Sequence, residues 1–424
     1  MYGALFEMFS FTQLEALPFF SIVTLLLATC TLLVATQILE ILVRKPQQVF
    51  WGIVFISTTF SFLKYSQEFE AYILPIFVSC VGTFYYLKGY RMLSAILLGI
   101  ACVFHQIHIF WLGGMFIADA LKKPRNSIYL LLGLSVPVFS YIVYANIHSM
   151  ALSHLLFHDV EQGLVQVYPN LNNLLFLVVN AVRSVLFIQS ETISQLKEWN
   201  VEVWIFAMLL IALLISGLVI LIKSGTRVMR INAHNKPILI VLVLQFLFAA
   251  YSVGNIEFMV MIPILLVFLM SAETNLKGYA RIVMGLSLWN VTQFVIPQNT
   301  KTTNFLAETH QFLQANKLDD SNLIITEQPD YLINYLEYHQ LINSEKQSTA
   351  NIVGDNSNLD SLLTLHSYNS VYIIKPKKQV LNRFSITHNA QFKFTLTDRY
   401  TMDTVEHFAL EVIKIRQIIT NSSD

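Results

Sequence analysis

Eleven apolar runs fill the first 297 residues, and this one feature limits what the chain can become. They are Phe19–Leu42, Val49–Leu63, Ala71–Leu87, Met92–Phe104, Ile109–Ala120, Ser127–Ile147, Leu171–Ile188, Val201–Ile222, Pro237–Val253, Phe258–Ser271 and Ile282–Pro297. Only 29 charged residues separate them across those 297 positions, whereas residues 298–424 carry 25 in 127. The first stretch has the profile of a lipid-embedded bundle, and the second that of a water-exposed domain. Hydrocarbon offers no partner to a free backbone amide, so the runs are expected to be helices. The division is placed at 1–297 and 298–424.

Lysine and arginine set the expected orientation. They cluster at Arg44/Lys45, Lys88/Arg91, Lys122/Lys123/Arg125, Lys223/Arg227/Arg230/Lys236 and Lys277/Arg281. The positive-inside rule places all five groups on the cytoplasmic side. Two conditions follow. Met92–Ala120 must be two short helices that turn outside at His105–His108. Leu171–Ile188 must lie in or re-enter the outer interface instead of crossing fully. The result is an all-α polytopic bundle of about ten transmembrane helices. Residues 1–18, 64–70, 105–108, 148–200, 254–257 and 298–424 then face outside. The N-terminus also comes out on that side, so a further helix is expected upstream of it. Val49–Leu63 has 15 residues, about 22 Å of helix against a core of about 30 Å. Short helices meeting on the outside imply an outward-facing polar cavity, because non-helical backbone at that depth must line water or be buried in protein.

Other classes fall away. Net charge is zero and the isoelectric point about 7.2, which leaves no basic footprint for nucleic acid. Cys30, Cys80 and Cys102 all sit in apolar runs, so there is no disulfide framework and no CxxC metal motif. The opening MYGALFEMF has no basic stretch before the first run and does not read as a cleavable signal. Residues 301–424 alternate helical and strand patterns and are read as a small extracytoplasmic α/β domain. Helices are expected at Thr303–Lys317, Tyr331–His339 and Leu359–His366. Strands are expected at Leu323–Ile325, Val371–Ile374, Phe392–Thr397 and Phe408–Ile415. No nucleotide-binding glycine motif follows those strands.

The external loops hold the unusual polar residues. Glu68 and Glu70 alternate about Phe69 between two spans. A carboxylate there suits a general base or a divalent-cation ligand, and equally a solvated helix end. His105 and His108 stand three apart, on one helical face. They offer a phosphate or metal contact, or simple packing, and no third ligand accompanies them. The loop His148–Asn170 carries His154, His158, Asp159, Glu161, Tyr168 and Pro169, and reads as a lid or as an ordinary exposed loop. Arg183 lies inside an apolar segment, where it either meets a lipid phosphate or snorkels to headgroups. Asn255 and Glu257 form a tight external turn in which Glu257 either favours a helix dipole or touches substrate.

The layout and several short stretches resemble the GT-C fold, the integral membrane glycosyltransferases that use polyprenyl-phosphate sugars. Tyr65-Ser66-Gln67-Glu68-Phe69-Glu70-Ala71-Tyr72-Ile73-Leu74-Pro75 looks like the segment entering the third or fourth helix of bacterial members. Leu97-Leu98-Gly99-Ile100-Ala101 followed by His105 is similar to their "LLGIA…H" helix, and Tyr251…Gly254-Asn255-Ile256-Glu257-Phe258…Pro263 to their late "N-x-E-F/W…P" turn. The resemblance implies inverting transfer of a sugar from a polyprenyl-phosphate donor to a glycan, lipid or protein acceptor. It implies a bacterial inner membrane with the C-terminal domain extracytoplasmic, and a divalent cation (Mg or Mn) as a cofactor. Glu68, Glu70 and His105 would be catalytic, and His108, Tyr168, Arg183, Asn255 and Glu257 would bind substrate. One departure stands out: the family's first acidic external loop, with the helix before it, has no counterpart here. The chain therefore reads as a shortened or inactive form as well as an active one. Two other classes stay open, a cell-envelope polysaccharide polymerase or ligase and a non-enzymatic scaffold or transporter.

Overall fold

The computed structural model describes residues 16–67, 72–147, 149, 171–188, 201–225, 229, 231–232, 234–251, 259–270, 273–296, 309, 311–313, 322–326, 352–354, 370–376, 400–406 and 410–417. The chain divides into two compact units, Met1–Val295 and Ile296–Asp424.

The first unit is helical. Its helices are α1 Ala16–Leu42, α2 Pro46–Thr58, α3 Phe60–Gln67, α4 Ile73–Leu87, α5 Arg91–Phe104, α6 Ile109–Lys122, α7 Ser127–Ile147, α8 Leu171–Val185, α9 Val201–Ser224, α10 Lys236–Tyr251, α11 Ile262–Phe268 and α12 Leu276–Asn290. A π-helical turn, Val291–Val295, continues the last. Phe19–Leu42, Pro124–Ile147 and Val201–Ser224 are each long and apolar enough to cross a membrane, and α2 with α3 would make a fourth, bent span. Five apolar helices are shorter.

The outside of this unit is inverted relative to a water-soluble bundle: it is apolar, over a core that is also largely apolar but takes in several polar side chains. Leu25, Leu33, Phe139, Ile147, Ile205 and Ile222 are exposed, while Thr24, Thr31, Ser79, Thr83, Ser94 and Asn290 are fully buried. Lipid solvates such a surface, and water does not. Helix α8 shows the inversion within one element. Leu175 and Val178 are more than half exposed, and Asn180 and Ser184 face the protein.

The Val49–Leu63 run differs from the expected short span. The helical stretch reaches from Pro46 to Gln67, and it is broken by 59° at Thr59. The sequence around the break supplies the cause. Thr58 and Thr59 return their hydroxyls to Val54 O at 2.7 Å and Ile56 O at 2.8 Å, and Thr59 turns extended. The Phe258–Ser271 run shrinks to the seven residues of α11.

Tight helix crossings organise the bundle. A Cβ at Gly114 would lie 2.5 Å from the backbone nitrogen of Val241, so α6 and α10 touch backbone to backbone. At neighbouring Gly113 a Cβ would make ordinary contacts at 3.5 and 3.8 Å. Gly114→Ala is therefore expected to destabilise by about 3 kcal/mol, because backbone cannot swing aside. Gly113→Ala is expected to be neutral or to stabilise by up to ~1 kcal/mol through helix propensity. Equilibrium unfolding of the two variants in mixed micelles checks the difference in sign.

The second unit holds a five-stranded mixed sheet, with β1 Asn322–Thr326, β2 Ile352–Gly354, β3 Ser370–Pro376, β4 Tyr400–Glu406 and β5 Leu410–Gln417 in the order β2-β1-β3-β5-β4. β1 pairs parallel with β2 and with β3, and β5 pairs antiparallel with β3 and β4. Leu323, Ile325, Val371, Ile373 and Ile374 are buried, and the Phe312 ring meets Tyr372 edge-on at 5.8 Å. Strands β2 and β4 are additions to the expected set. The helices expected at Tyr331–His339 and Leu359–His366, and the strand at Phe392–Thr397, lie outside the described residues.

Candidate functional site

The described members of the five basic clusters gather at one end of the helical unit. Arg91 Nε sits 3.3 Å from Asp119, which joins the start of α5 to the end of α6. The hairpin expected at His105–His108 is therefore formed. Helices α6 and α10 run antiparallel, with Gly114 against Val241 and the Phe110 ring 4.8 Å from Phe248, so Lys236 lies level with the end of α6. Gly217 packs on Gly278, and Gly285 on Leu210 and Leu213, which brings the ends at Lys223 and Lys277 together. Met229 pairs with Met270 through a β-bridge. Gln48 Nε2 donates to Thr274 O at 3.0 Å and ties in the Arg44/Lys45 turn.

The opposite end holds the broken helix and the histidine turn. His105 is extended and caps the 3-10 turn Gln106–His108, its Nδ1 accepting from Ile107 N at 3.3 Å. The ring of Tyr72 lies 4.9 Å from His105 and 4.9 Å from Tyr65. This ladder connects the end of α3, the residue before α4 and the turn. His108 has a different setting. It is 1% exposed, its Nδ1 is 2.7 Å from Ser79 Oγ, and its ring stacks on Trp111 at 5.9 Å. Trp111 Nε1 donates to Thr83 Oγ1 at 2.9 Å. The histidine pair thus splits by role: His108 is a packed core residue, and His105 faces the end of the bundle, half-buried.

Arg183 is engaged within its own neighbourhood. Its Nε donates to Ile188 O at 2.9 Å and its Nη1 to Asn180 Oδ1 at 3.2 Å. These bonds fold residues 186–188 back over the end of α8. Phe187 is delivered into a cluster with Phe60 at 5.0 Å and Phe294 at 5.5 Å.

Asn290 sits at the centre of this end, fully buried. Its Oδ1 accepts from Phe187 N at 2.8 Å, and its Nδ2 donates to Thr58 O and Val185 O, each at 2.7 Å. Trp289 Nε1 donates to Phe187 O at 2.8 Å. One amide thereby closes the carbonyl freed by the break after α2, the end of α8 and the turn that follows it. The only sequence signal for Asn290 is a lone carboxamide in an apolar run, which is costly in lipid unless it is fully bonded.

Glu68, Glu70, Tyr168, Asn255 and Glu257 lie outside the described residues, as do His154, His158, Asp159 and Glu161. Among the described residues no group of three or more His, Cys, Asp or Glu gathers to hold a metal ion. No family model, no curated protein and no solved structure matches the chain.

Proposed function

We propose that the chain is a ten-pass GT-C-type glycosyltransferase of the bacterial inner membrane. It would transfer a sugar from a polyprenyl-phosphate donor to a glycan, lipid or protein acceptor on the outer face, where the C-terminal domain also lies. The observation that supports this reading is the segregation of the helical unit. The described residues of the basic clusters share one end, and the histidine turn and broken helix share the other. The ten-pass reading counts α2 with α3 as one pass, takes α11 with the residues around it as another, and leaves out α8, which packs against α3, α10 and α11. That is the arrangement the positive-inside rule requires of an outward site.

In this reading Glu68 or Glu70, in the segment between Gln67 and Tyr72, takes the proton of the acceptor hydroxyl. The freed oxygen attacks the anomeric carbon with inversion, and the lipid phosphate leaves with the bonding pair. His105, held against Tyr72, assists at the same end. The described residues offer no donor set that fits a divalent cation, so no step is routed through one.

Two measurements test the proposal. Cysteines are placed at Gln106 and at Lys123 in a Cys30→Ala background. Intact cells treated with an impermeant maleimide should label Q106C, and K123C only after permeabilisation. The reverse pattern overturns the sidedness. The full chain in liposomes should consume a polyprenyl-phosphate sugar from a panel and release polyprenyl phosphate. No consumption of any member overturns the transferase reading.

A further inference from the structure

We infer that a cleft between α1 and α2, at the basic end, is a binding site for the headgroup of a zwitterionic phospholipid bearing a primary ammonium. The cleft has a volume of about 430 Å³ and is lined by Thr36, Glu40, Arg44, Val49, Phe50 and Ile53 among others. Pockets of this size hold small ligands. Its chemistry is specific: one carboxylate and one guanidinium open onto an otherwise largely apolar wall. Among the described residues, neither Glu40 nor Arg44 has an ion-pair partner.

The position suits a lipid. Glu40 lies in the last turn of α1 and Arg44 just past its end, so the carboxylate is the deeper of the two along the helix direction. Leu33, Thr36 and Glu40 share one face of α1 by their spacing. Leu33 is 61% exposed and Phe50 is 60% exposed, so the cleft continues onto apolar surface where acyl chains can lie. A phosphate pairs with Arg44, and an ammonium reaches Glu40 with N–H donors that a quaternary choline lacks. An anionic headgroup without an ammonium meets Arg44 but is repelled by Glu40.

The backbone supplies an independent observation. Arg44 follows the end of α1 with φ of 63°, the left-handed conformation that favours glycine at a helix terminus. Holding an arginine there costs on the order of 1 kcal/mol that glycine would not. An arginine at a strained position, where glycine would fit without cost, is consistent with use of its side chain. This inference depends on the membrane reading of the bundle and is independent of sugar transfer.

The test is native mass spectrometry of the full chain released from detergent with equal amounts of phosphatidylethanolamine, phosphatidylcholine and phosphatidylglycerol. The wild type should retain the ethanolamine lipid about fivefold over phosphatidylglycerol, the factor one such charge contact gives near headgroups, and in preference to phosphatidylcholine, whose nitrogen keeps its charge but has no N–H to donate. Arg44→Gly relieves the strained φ and so keeps the fold, and it should lose that preference. Glu40→Gln should raise phosphatidylglycerol to the level of phosphatidylethanolamine. Equal retention of all three lipids by the wild type, or undiminished ethanolamine preference in Arg44→Gly, overturns the proposal. Sugar transfer by Arg44→Gly should equal that of the wild type, which separates failure here from failure of the transferase reading.

Discussion

Replacing Asn290 by alanine should cost at least about 3 kcal/mol of stability, well above the loss from removing the Ser287 hydroxyl beside it. The amide satisfies three backbone groups at once: Phe187 N–H, Thr58 C=O and Val185 C=O. A buried backbone group left without a partner costs about 1–3 kcal/mol, and water reaches this site poorly, since Asn290 is 0% exposed. The orientation of the amide follows from those partners, one donor on one side and two acceptors on the other. Ser287→Ala is the matched control. Its hydroxyl pairs with Thr58 Oγ1 at 2.8 Å and also returns to its own helix at Val283 O. Interhelical side-chain bonds of that kind are worth about 0.6 kcal/mol on average, so the control should lose less than ~1 kcal/mol. Reversible unfolding in mixed micelles, followed by the fluorescence of adjacent Trp289, measures both. Equal losses would mean that the break at Thr59 is held by packing among Phe60, Phe187 and Phe294 and not by the amide.

The charge pattern makes the hairpin at His105–His108 readable in the sequence, because one straight helix would put Lys88 and Lys122 on opposite sides. The Arg91–Asp119 pair is what that constraint looks like in three dimensions. The break at Thr59 was hidden for a physical reason. Hydropathy sees Ser57 to Ser61 as a weak dip in an apolar run, whereas the carbonyl that the bend frees at Thr58 finds its partner in Asn290, more than 230 positions away in sequence. A lone asparagine announces that it needs partners but not which ones. The same limit applies to the two histidines: equal spacing on a helical face gave them equal standing, and only Ser79 and Trp111 distinguish His108 as a core residue. In the sheet, β1 and β3 are buried and read as apolar runs. β4 carries Thr401, Asp403, Thr404 and Glu406 as an edge strand, and such a strand lacks the alternation that burial imposes. β2 has three residues, too few for any period to register. The carboxylates Glu68 and Glu70 were legible only by their place between two spans, and function rests on them as a proposal.

Under that proposal, Glu70→Gln and Glu68→Gln discriminate between two kinds of carboxylate chemistry. A general base contributes about 10²–10⁴ in rate, and glutamine keeps the volume and one acceptor while losing the basicity. If one carboxylate takes the proton alone, one variant should lose transfer by that factor and the other by less than about tenfold. If the two act together on a cation, both should fall, and excess Mg or Mn should partly restore either. Donor retention separates chemistry from damage to the site. An inactive variant that still binds the polyprenyl-phosphate sugar has lost a step and not its fold. The flanks give the substitution a fair background. The Tyr65 and Tyr72 rings meet across the segment and Tyr72 rests on His105, so its two flanks are anchored by residues that neither substitution changes. Full transfer by both variants would remove these carboxylates from the reaction. The base would then have to come from an external loop elsewhere, with Glu257 the first candidate to replace.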